Sequence, residues 1–195
     1  GDYLHQTKII GSIASTLYWD QNTRMPSGGA AWRGEQLALL AIQLHSRQSS
    51  AEYADLIQQA RMEWSQSGLS TTEQAARGRN LDLLEQDLSR QQALDPALVA
   101  ALATAKSDGY NNWQQARADS DFGLFVPSLR TMIGLRQEQA RQLAEPRSCW
   151  ETLAQPFEPD LTLKRLQELF APLRQRLPNA SLASMVNELS IFGTV

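Results

Sequence analysis

Histidine is the usual protein ligand of catalytic zinc, and the 195-residue sequence contains only two histidines. His5 and His45 lie far apart, and neither is followed by glutamate or by a second histidine within one helical turn. Zinc sites on one helix have the spacing H-E-x-x-H, and carboxylate-rich sites in helical bundles have Glu-x-x-His. The sequence therefore predicts no metal ligand, no cofactor-binding residue and no catalytic residue in this chain.

Cys149 is the only cysteine, so the chain cannot form an internal disulfide and does not need an oxidising compartment. One interpretation of Cys149 is a thiol nucleophile paired with a histidine. The favoured interpretation is a partly buried, inert cysteine beside Trp150. A thiol-dependent enzyme would lose activity on Cys149→Ala, and we expect that substitution to abolish none.

Other residue types that could do chemistry have favoured structural interpretations. Asp119 and Asp121 could act as a general acid and base, but their place between two helices favours helix capping. Gly28 and Gly29 could bind an anion at a helix N-terminus, but a tight turn is favoured. No nucleophile elbow, glycine-rich phosphate loop or dinucleotide fingerprint occurs in the sequence.

Five tryptophans could form an aromatic binding surface, although their apolar helical faces favour core packing: Trp19, Trp32, Trp64, Trp113 and Trp150. Arg117 follows Trp113 by one helical turn and is predicted to lie in a buried, structural ion pair.

Net charge is −3, from 18 Lys and Arg against 21 Asp and Glu, which removes the electrostatic argument for a nucleic-acid partner. No apolar run approaches the roughly 20 residues of a membrane helix, and no signal peptide opens the chain. The sequence predicts a soluble, cytoplasmic protein without a membrane partner. Nothing marks a second domain, so we expect residues 1–195 to form a single helical region.

Leucine and alanine dominate while valine and isoleucine are scarce, which favours helices over strands. The predicted fold class is all-α, an antiparallel helical bundle of about seven to eight helices. Helices are predicted at about 3–19, 29–48, 53–64 and 70–92, and after residues 95, 127 and 162. A short turn is predicted around 150–153 and a short helix over 181–189. Ser70, Asp95 and Thr162 are predicted N-caps, and Pro172 is predicted to kink the last long helix. That helix is predicted to turn its apolar side chains inward, namely Leu166, Leu169, Phe170 and Leu173.

Residues Trp19 to Ala30 read W-D-Q-N-T-R-M-P-S-G-G-A. This segment resembles the W-D-Q-x-T-x-M-P-x-G-G-A signature of the carboxypeptidase Taq family of zinc metallocarboxypeptidases. The resemblance continues from Arg33 to His45 as R-x-E-Q-L-x-x-L-x-x-x-x-H, and from Trp113 to Leu129 as W-x-x-A-R-x-x-x-D-F-x-x-F-x-P-x-L. A looser third block runs over 157–173, and the resemblance fades after Pro178.

The resemblance implies the N-terminal part of a larger all-helical hydrolase, usually a homodimer, that removes single residues from peptide C-termini with broad specificity. Zinc or cobalt is implied on two histidines of H-E-x-x-H and a downstream glutamate, with the motif's own glutamate as general base. This chain stops before those elements, so we expect it to be inactive alone. The alternative is a natural, truncated, non-enzymatic scaffold or partner-binding module.

Within the resemblance, Trp19 to Gly29 has two interpretations. The segment could form part of the wall of the substrate groove. The favoured interpretation is that it fixes the angle between two helices, since tryptophan, methionine and proline are packing and turn residues.

Overall fold

The computed structural model describes residues 1–176 apart from 67 and 69. These residues form eight α-helices and no β-strand, which confirms the predicted fold class. The helices are α1 (Asp2–Thr23), α2 (Ala30–Gln48), α3 (Ala51–Ser65), α4 (Thr71–Gln92), α5 (Pro96–Ala118), α6 (Val126–Leu143), α7 (Cys149–Ala154) and α8 (Leu163–Arg176).

Helix α1 is longer than predicted, because it continues for four residues past Trp19 to Thr23. The main-chain oxygen of Asp20 accepts from the amides of both Arg24 and Met25, which closes the last turn. Single turns of 3₁₀ helix precede α2 (Ser27–Gly29) and α6 (Phe122–Leu124). The predicted short helix at 181–189 lies outside the described residues.

The chain divides into two compact units. The first runs from Gly1 to Leu143 and contains α1 to α6, and the second begins at Ala144 and contains α7 and α8. Two compact units can still belong to one folding domain. The prediction that residues 1–195 form a single helical region therefore stays a prediction. None of the helices in the described ranges is long and apolar enough to cross a bilayer.

Helix α2 lies at the centre of the first unit, where it contacts α1, α4 and α5, while α6 packs on α5 and α3 packs on α4. The Tyr3 hydroxyl, near the start of α1, donates to the main-chain oxygen of Arg47 near the end of α2. At the opposite end of the pair, Arg33 contacts Asp20. These two contacts make α1 and α2 antiparallel, as the predicted bundle requires.

A small apolar cluster joins α3 and α4 through the buried side chains of Tyr53, Ile57 and Leu88. The Tyr3 ring stacks on Tyr53 with 5.4 Å between centroids, and the Arg47 guanidinium lies 4.1 Å from the centre of the Tyr3 ring. Burial is the main cause that raises the pKa of Tyr53, and the nearby charge of Asp87 adds to it.

The predicted N-caps are present. Side-chain oxygens of Ser70, Asp95 and Thr162 accept from main-chain amides in the first turns of α4, α5 and α8. A further capping box joins Ser148 and Glu151 at the start of α7. The Glu151 carboxylate also accepts from the amide of Leu163, and these hydrogen bonds lower the pKa of Glu151.

Helix α8 contains Pro172 in its interior, and the kink predicted there stays a prediction. Its apolar side chains were expected to face inward, and this expectation is wrong for three of them. Leu169, Phe170 and Leu173 are each about half exposed. Helical spacing therefore identified a shared apolar face correctly but did not show whether anything covers it.

Gly78 allows α4 to approach the Trp64 ring. A Cβ at position 78 would lie 2.9 Å from the Trp64 ring, which is fixed by a 2.8 Å hydrogen bond from its Nε1 to the Gln74 main-chain oxygen. Gly78→Ala is therefore expected to lower the free energy of unfolding by about 1–3 kcal/mol in urea titrations. Gly134→Ala is the matched control, since its Cβ would meet open space, and it should stabilise α6 by about 0.5–1 kcal/mol. Equal effects of both substitutions would contradict the close packing at Gly78.

The raised pKa of Tyr53 predicts an alkaline limit to stability. The folded state favours the neutral phenol, so this contribution is complete below the unfolded pKa of about 10 and is lost as pH rises through the higher folded pKa. Urea titrations between about pH 9 and 11.5 should show a decline that Tyr53→Phe reduces. Tyr110→Phe, which removes a hydroxyl elsewhere, should leave the decline unchanged, and an unaltered decline in Tyr53→Phe would contradict the assignment.

Candidate functional site

The two histidines differ in burial and are far apart in sequence. His5 is exposed, whereas His45 is buried and its Nδ1 lies 3.1 Å from Oε1 of Gln91 on α4. No group of three or more His, Cys, Asp or Glu side chains that could hold a metal occurs within residues 1–176 as described. The prediction that this chain holds no catalytic, cofactor or metal residue stays a prediction.

Cys149 is exposed at the first position of α7, so the prediction that it is partly buried is wrong. Asp121 caps the turn before α6 by accepting from the amide of Gly123 at 2.8 Å, as predicted. Asp119 is the C-cap residue of α5, and its carboxylate accepts from Nε2 of Gln115. Both aspartates are therefore engaged at helix ends.

Core packing of the tryptophans is wrong for four of the five. Only Trp64 is largely enclosed, while the exposed fractions of the others are 59 %, 67 %, 44 % and 46 % for Trp19, Trp32, Trp113 and Trp150. Arg117 is also exposed, and it forms no ion pair with any residue that the structure describes, so the predicted buried pair is wrong.

The signature segment is organised by Arg33. Its guanidinium pairs with Asp20 at 2.6 Å, donates to the main-chain oxygen of Leu17 and donates from Nε to Gln36 at 3.0 Å. The arginine side chain is 12 % exposed, so these hydrogen bonds are partly shielded from water. Arg33 thus joins the last turns of α1 to the first turns of α2.

Gly29 lies in the turn between these helices with φ near −83°, a conformation open to any residue. A Cβ at this position would lie 3.2 Å from Cγ of Met25, closer than most real contacts. A side chain at position 29 would therefore require the Met25 side chain to move by a few tenths of an ångström, whereas the backbone itself would tolerate it. This arrangement agrees with a segment that sets the angle between α1 and α2.

A polar pocket of about 390 Å³ opens where the end of α1 and the start of α2 meet α5. Five carboxamide side chains line it, three of them from α5: Gln21, Asn22, Asn111, Gln114 and Gln115. Every side chain in the lining is uncharged. The volume lies within the range of small-ligand pockets, which makes this the candidate site of the first unit.

Gln21 is 5 % exposed, and its Nε2 donates to Oγ of Ser107 on α5 at 2.9 Å. The same nitrogen lies 3.5 Å from the main-chain oxygen of Ser107, which can only accept, so the orientation of the amide is fixed. The opposite end of the amide, Oε1, is buried and finds no donor in the described part of the chain. Oδ1 of Asn22 is buried and unpartnered among the same residues.

The signature segment from Trp19 to Ala30 supplies six of the ten residues that line this pocket. Gln21 and Asn22 belong to the signature segment, but Ser107 and Asn111 of α5 were not singled out. Only the fold brings these residues together, across 86 positions of sequence between Gln21 and Ser107. In the sequence alone, the amide side chains of α5 have the pattern of a helix face that is exposed to solvent.

The geometry of Arg33 predicts its effect on stability. Arg33→Ala removes hydrogen bonds of a charged group and leaves Asp20 unpaired, so the free energy of unfolding should fall by about 1.5–3 kcal/mol. The free energy of unfolding of Arg33→Lys should lie between those of Arg33→Ala and the wild type. The ammonium group of lysine cannot donate to acceptors on both helices in the way that the planar guanidinium does. Arg141→Ala, at an exposed pair with Glu138, should change stability by less than about 0.5 kcal/mol. A comparable loss in Arg141→Ala would contradict the special role of Arg33.

Known proteins resemble this chain along most of its length. It is 28% identical over 185 residues to thermostable carboxypeptidase 1 of Thermus thermophilus, covering 90% of this chain and 36% of the relative. It is 24% identical over 168 residues to thermostable carboxypeptidase 1 of Pyrococcus furiosus, covering 86% of this chain and 32% of that relative. The chain thus spans about a third of the length of these curated relatives.

Solved structures share the fold. The crystal structure titled BsuCP superposes with a TM-score of 0.81 at 23% identity and covers 89% of this chain and 34% of that one. Metallocarboxypeptidase 1 of Trypanosoma cruzi superposes with a TM-score of 0.70 at 24% identity, covering 100% and 38%. The sequence pattern of the Carboxypeptidase Taq (M32) metallopeptidase family matches residues 1–189. With the match over nearly its whole length, the chain belongs to the Carboxypeptidase Taq (M32) metallopeptidase family.

Proposed function

We propose that this chain is the N-terminal part of a zinc-dependent metallocarboxypeptidase that removes C-terminal amino acids from peptides with broad specificity. The observation that carries the proposal is the family match over residues 1–189, together with relatives of which the chain covers only about a third. The catalytic part would then follow this chain in the longer protein.

An uncovered apolar face on α2 supports the proposal. Trp32, Leu39 and Ile42 follow one another at helical spacing and are 67 %, 57 % and 38 % exposed. A soluble helix normally turns such a face toward a partner. The occupant we propose is the remaining two thirds of the longer chain, since that is the part of the relatives' length that this chain does not cover.

The described residues do not suit the zinc that the family implies, because they bring no three ligands together. In our proposal the metal belongs to an H-E-x-x-H segment outside this chain, and this part contributes scaffold and groove wall. The proposal further includes a peptide substrate, no nucleic-acid partner, a homodimer for the longer protein and a cytoplasmic location. A net charge of −3 and a single free cysteine are consistent with it.

The proposal predicts that the purified 195-residue chain binds no stoichiometric zinc and releases no C-terminal amino acids. A ligand set for the metal and a general base would both be lacking. The measurements are metal content by mass spectrometry and amino-acid release from blocked peptides, with and without a chelator. Chelator-sensitive release by the pure chain would contradict the prediction.

The deciding measurement is the coding sequence beyond the codon for Val195. We expect it to continue and to encode H-E-x-x-H, and the longer product should show chelator-sensitive carboxypeptidase activity. A stop codon directly after Val195 would contradict the proposal and would favour a binding or scaffold module instead.

A further inference from the structure

Helix α8 is exposed to solvent around almost its whole circumference. Over residues 163–174, every side chain except that of Leu166 is exposed. A helix of 14 residues is only marginally stable in water by itself, and the proline inside this one removes a main-chain hydrogen bond. Helix α8 therefore needs a partner that covers part of its surface.

One face of α8 is apolar and uncovered. It consists of four side chains at helical spacing, of which the last three are 49 %, 50 % and 46 % exposed: Leu166, Leu169, Phe170 and Leu173. The charged side chains lie off this face, where Arg165 and Glu168 pair at 3.6 Å. A partner that fits α8 is therefore one that brings apolar groups to a single side of the helix.

The sequence directly after α8 has the same apolar pattern. Four residues at the spacing i, i+3, i+4 and i+7 fall within the short helix predicted over 181–189: Leu182, Met185, Val186 and Leu189. Residues 177–180, which include Pro178 and Asn179, separate this segment from α8. Connections of two to five residues join antiparallel helices, so the spacing predicts a helical hairpin.

The two apolar faces also match in length. Each covers seven positions from its first to its last residue, which is about 10 Å along a helix. In an antiparallel hairpin, Leu182 would lie beside Leu173 and Leu189 beside Leu166, so the faces would meet along their whole length. The short connection also gives this segment a high effective concentration at α8, which neither a second copy nor a remote segment has.

We propose that residues 181–189 pack antiparallel on the apolar face of α8 and are the partner that covers Leu169, Phe170 and Leu173. The interface lies within the second unit, Ala144–Val195. It is independent of the proposed function, because it involves neither the exposed face of α2 nor the metal.

Disulfide formation between engineered cysteines in the 195-residue chain tests the register. The hairpin places Leu166→Cys beside Leu189→Cys, but it places Leu173→Cys about 10 Å along the helix from Leu189→Cys. Both pairs are made together with Cys149→Ser, because Cys149 is free and exposed. With copper phenanthroline as oxidant, we expect the 166–189 pair to close at least about fivefold faster than the 173–189 pair on non-reducing gels.

A segment that does not pack on α8 would give the opposite order. The loop between positions 173 and 189 is shorter than the loop between 166 and 189, and shorter flexible loops close more easily. Faster closure of the 173–189 pair would therefore overturn the proposal, as would closure of neither pair. Disulfide-linked dimers would also overturn it, because a second copy would then cover α8.

A second test leaves α8 unaltered and introduces no cysteine. Val186→Asp places a charge inside the interface, while the matched control Asn187→Asp places the same charge on the far side of the predicted helix. Loss of the partner should speed tryptic cleavage after the exposed Arg174 at least about fivefold in Val186→Asp and by less than about twofold in Asn187→Asp, as measured by mass spectrometry. Equal cleavage of the two variants would overturn the proposal even where the cysteine pairs fail to fold.

Discussion

Arg33 provides the constraint on which the first unit depends. Its guanidinium donates to acceptors on α1 and to Gln36 within α2. Because hydrogen bonds form only within a narrow range of distances and angles, these contacts fix how α1 and α2 cross. Helix α2 in turn contacts α4 and α5. A small apolar cluster at the other end of the unit supplies burial but little directionality. The polar contacts therefore decide the geometry, and the apolar contacts stabilise it.

Local features were predictable from the sequence because their causes are local. Ser70, Asp95 and Thr162 cap helices through amides within three residues, and the scarcity of β-branched residues favoured helices throughout. The exposure of Trp19 and Trp32 was not predictable in the same way. Helical spacing shows that apolar side chains share a face, but whether that face is covered depends on contacts between segments far apart in sequence.

The sequence alone identified only one side of the candidate pocket. The family signature drew attention to Gln21 and Asn22, but a glutamine in a helix usually faces water. Its burial comes from α5, which approaches α1 through residues 86 positions away. Long-range contact of that kind leaves no periodic trace in either segment. Amide side chains also carry no charge, so the charge pattern along the chain gave no further signal.

The tryptophans have an optical consequence. Four indoles are between 44 % and 67 % exposed while Trp64 is partly buried between α3 and α4, so solvent-relaxed, red-shifted emission should contribute most of the fluorescence of this chain. Covering the outer face of α2 would dehydrate Trp32 and shift its emission to shorter wavelength. The emission of Trp32 therefore reports whether the exposed face of α2 is covered.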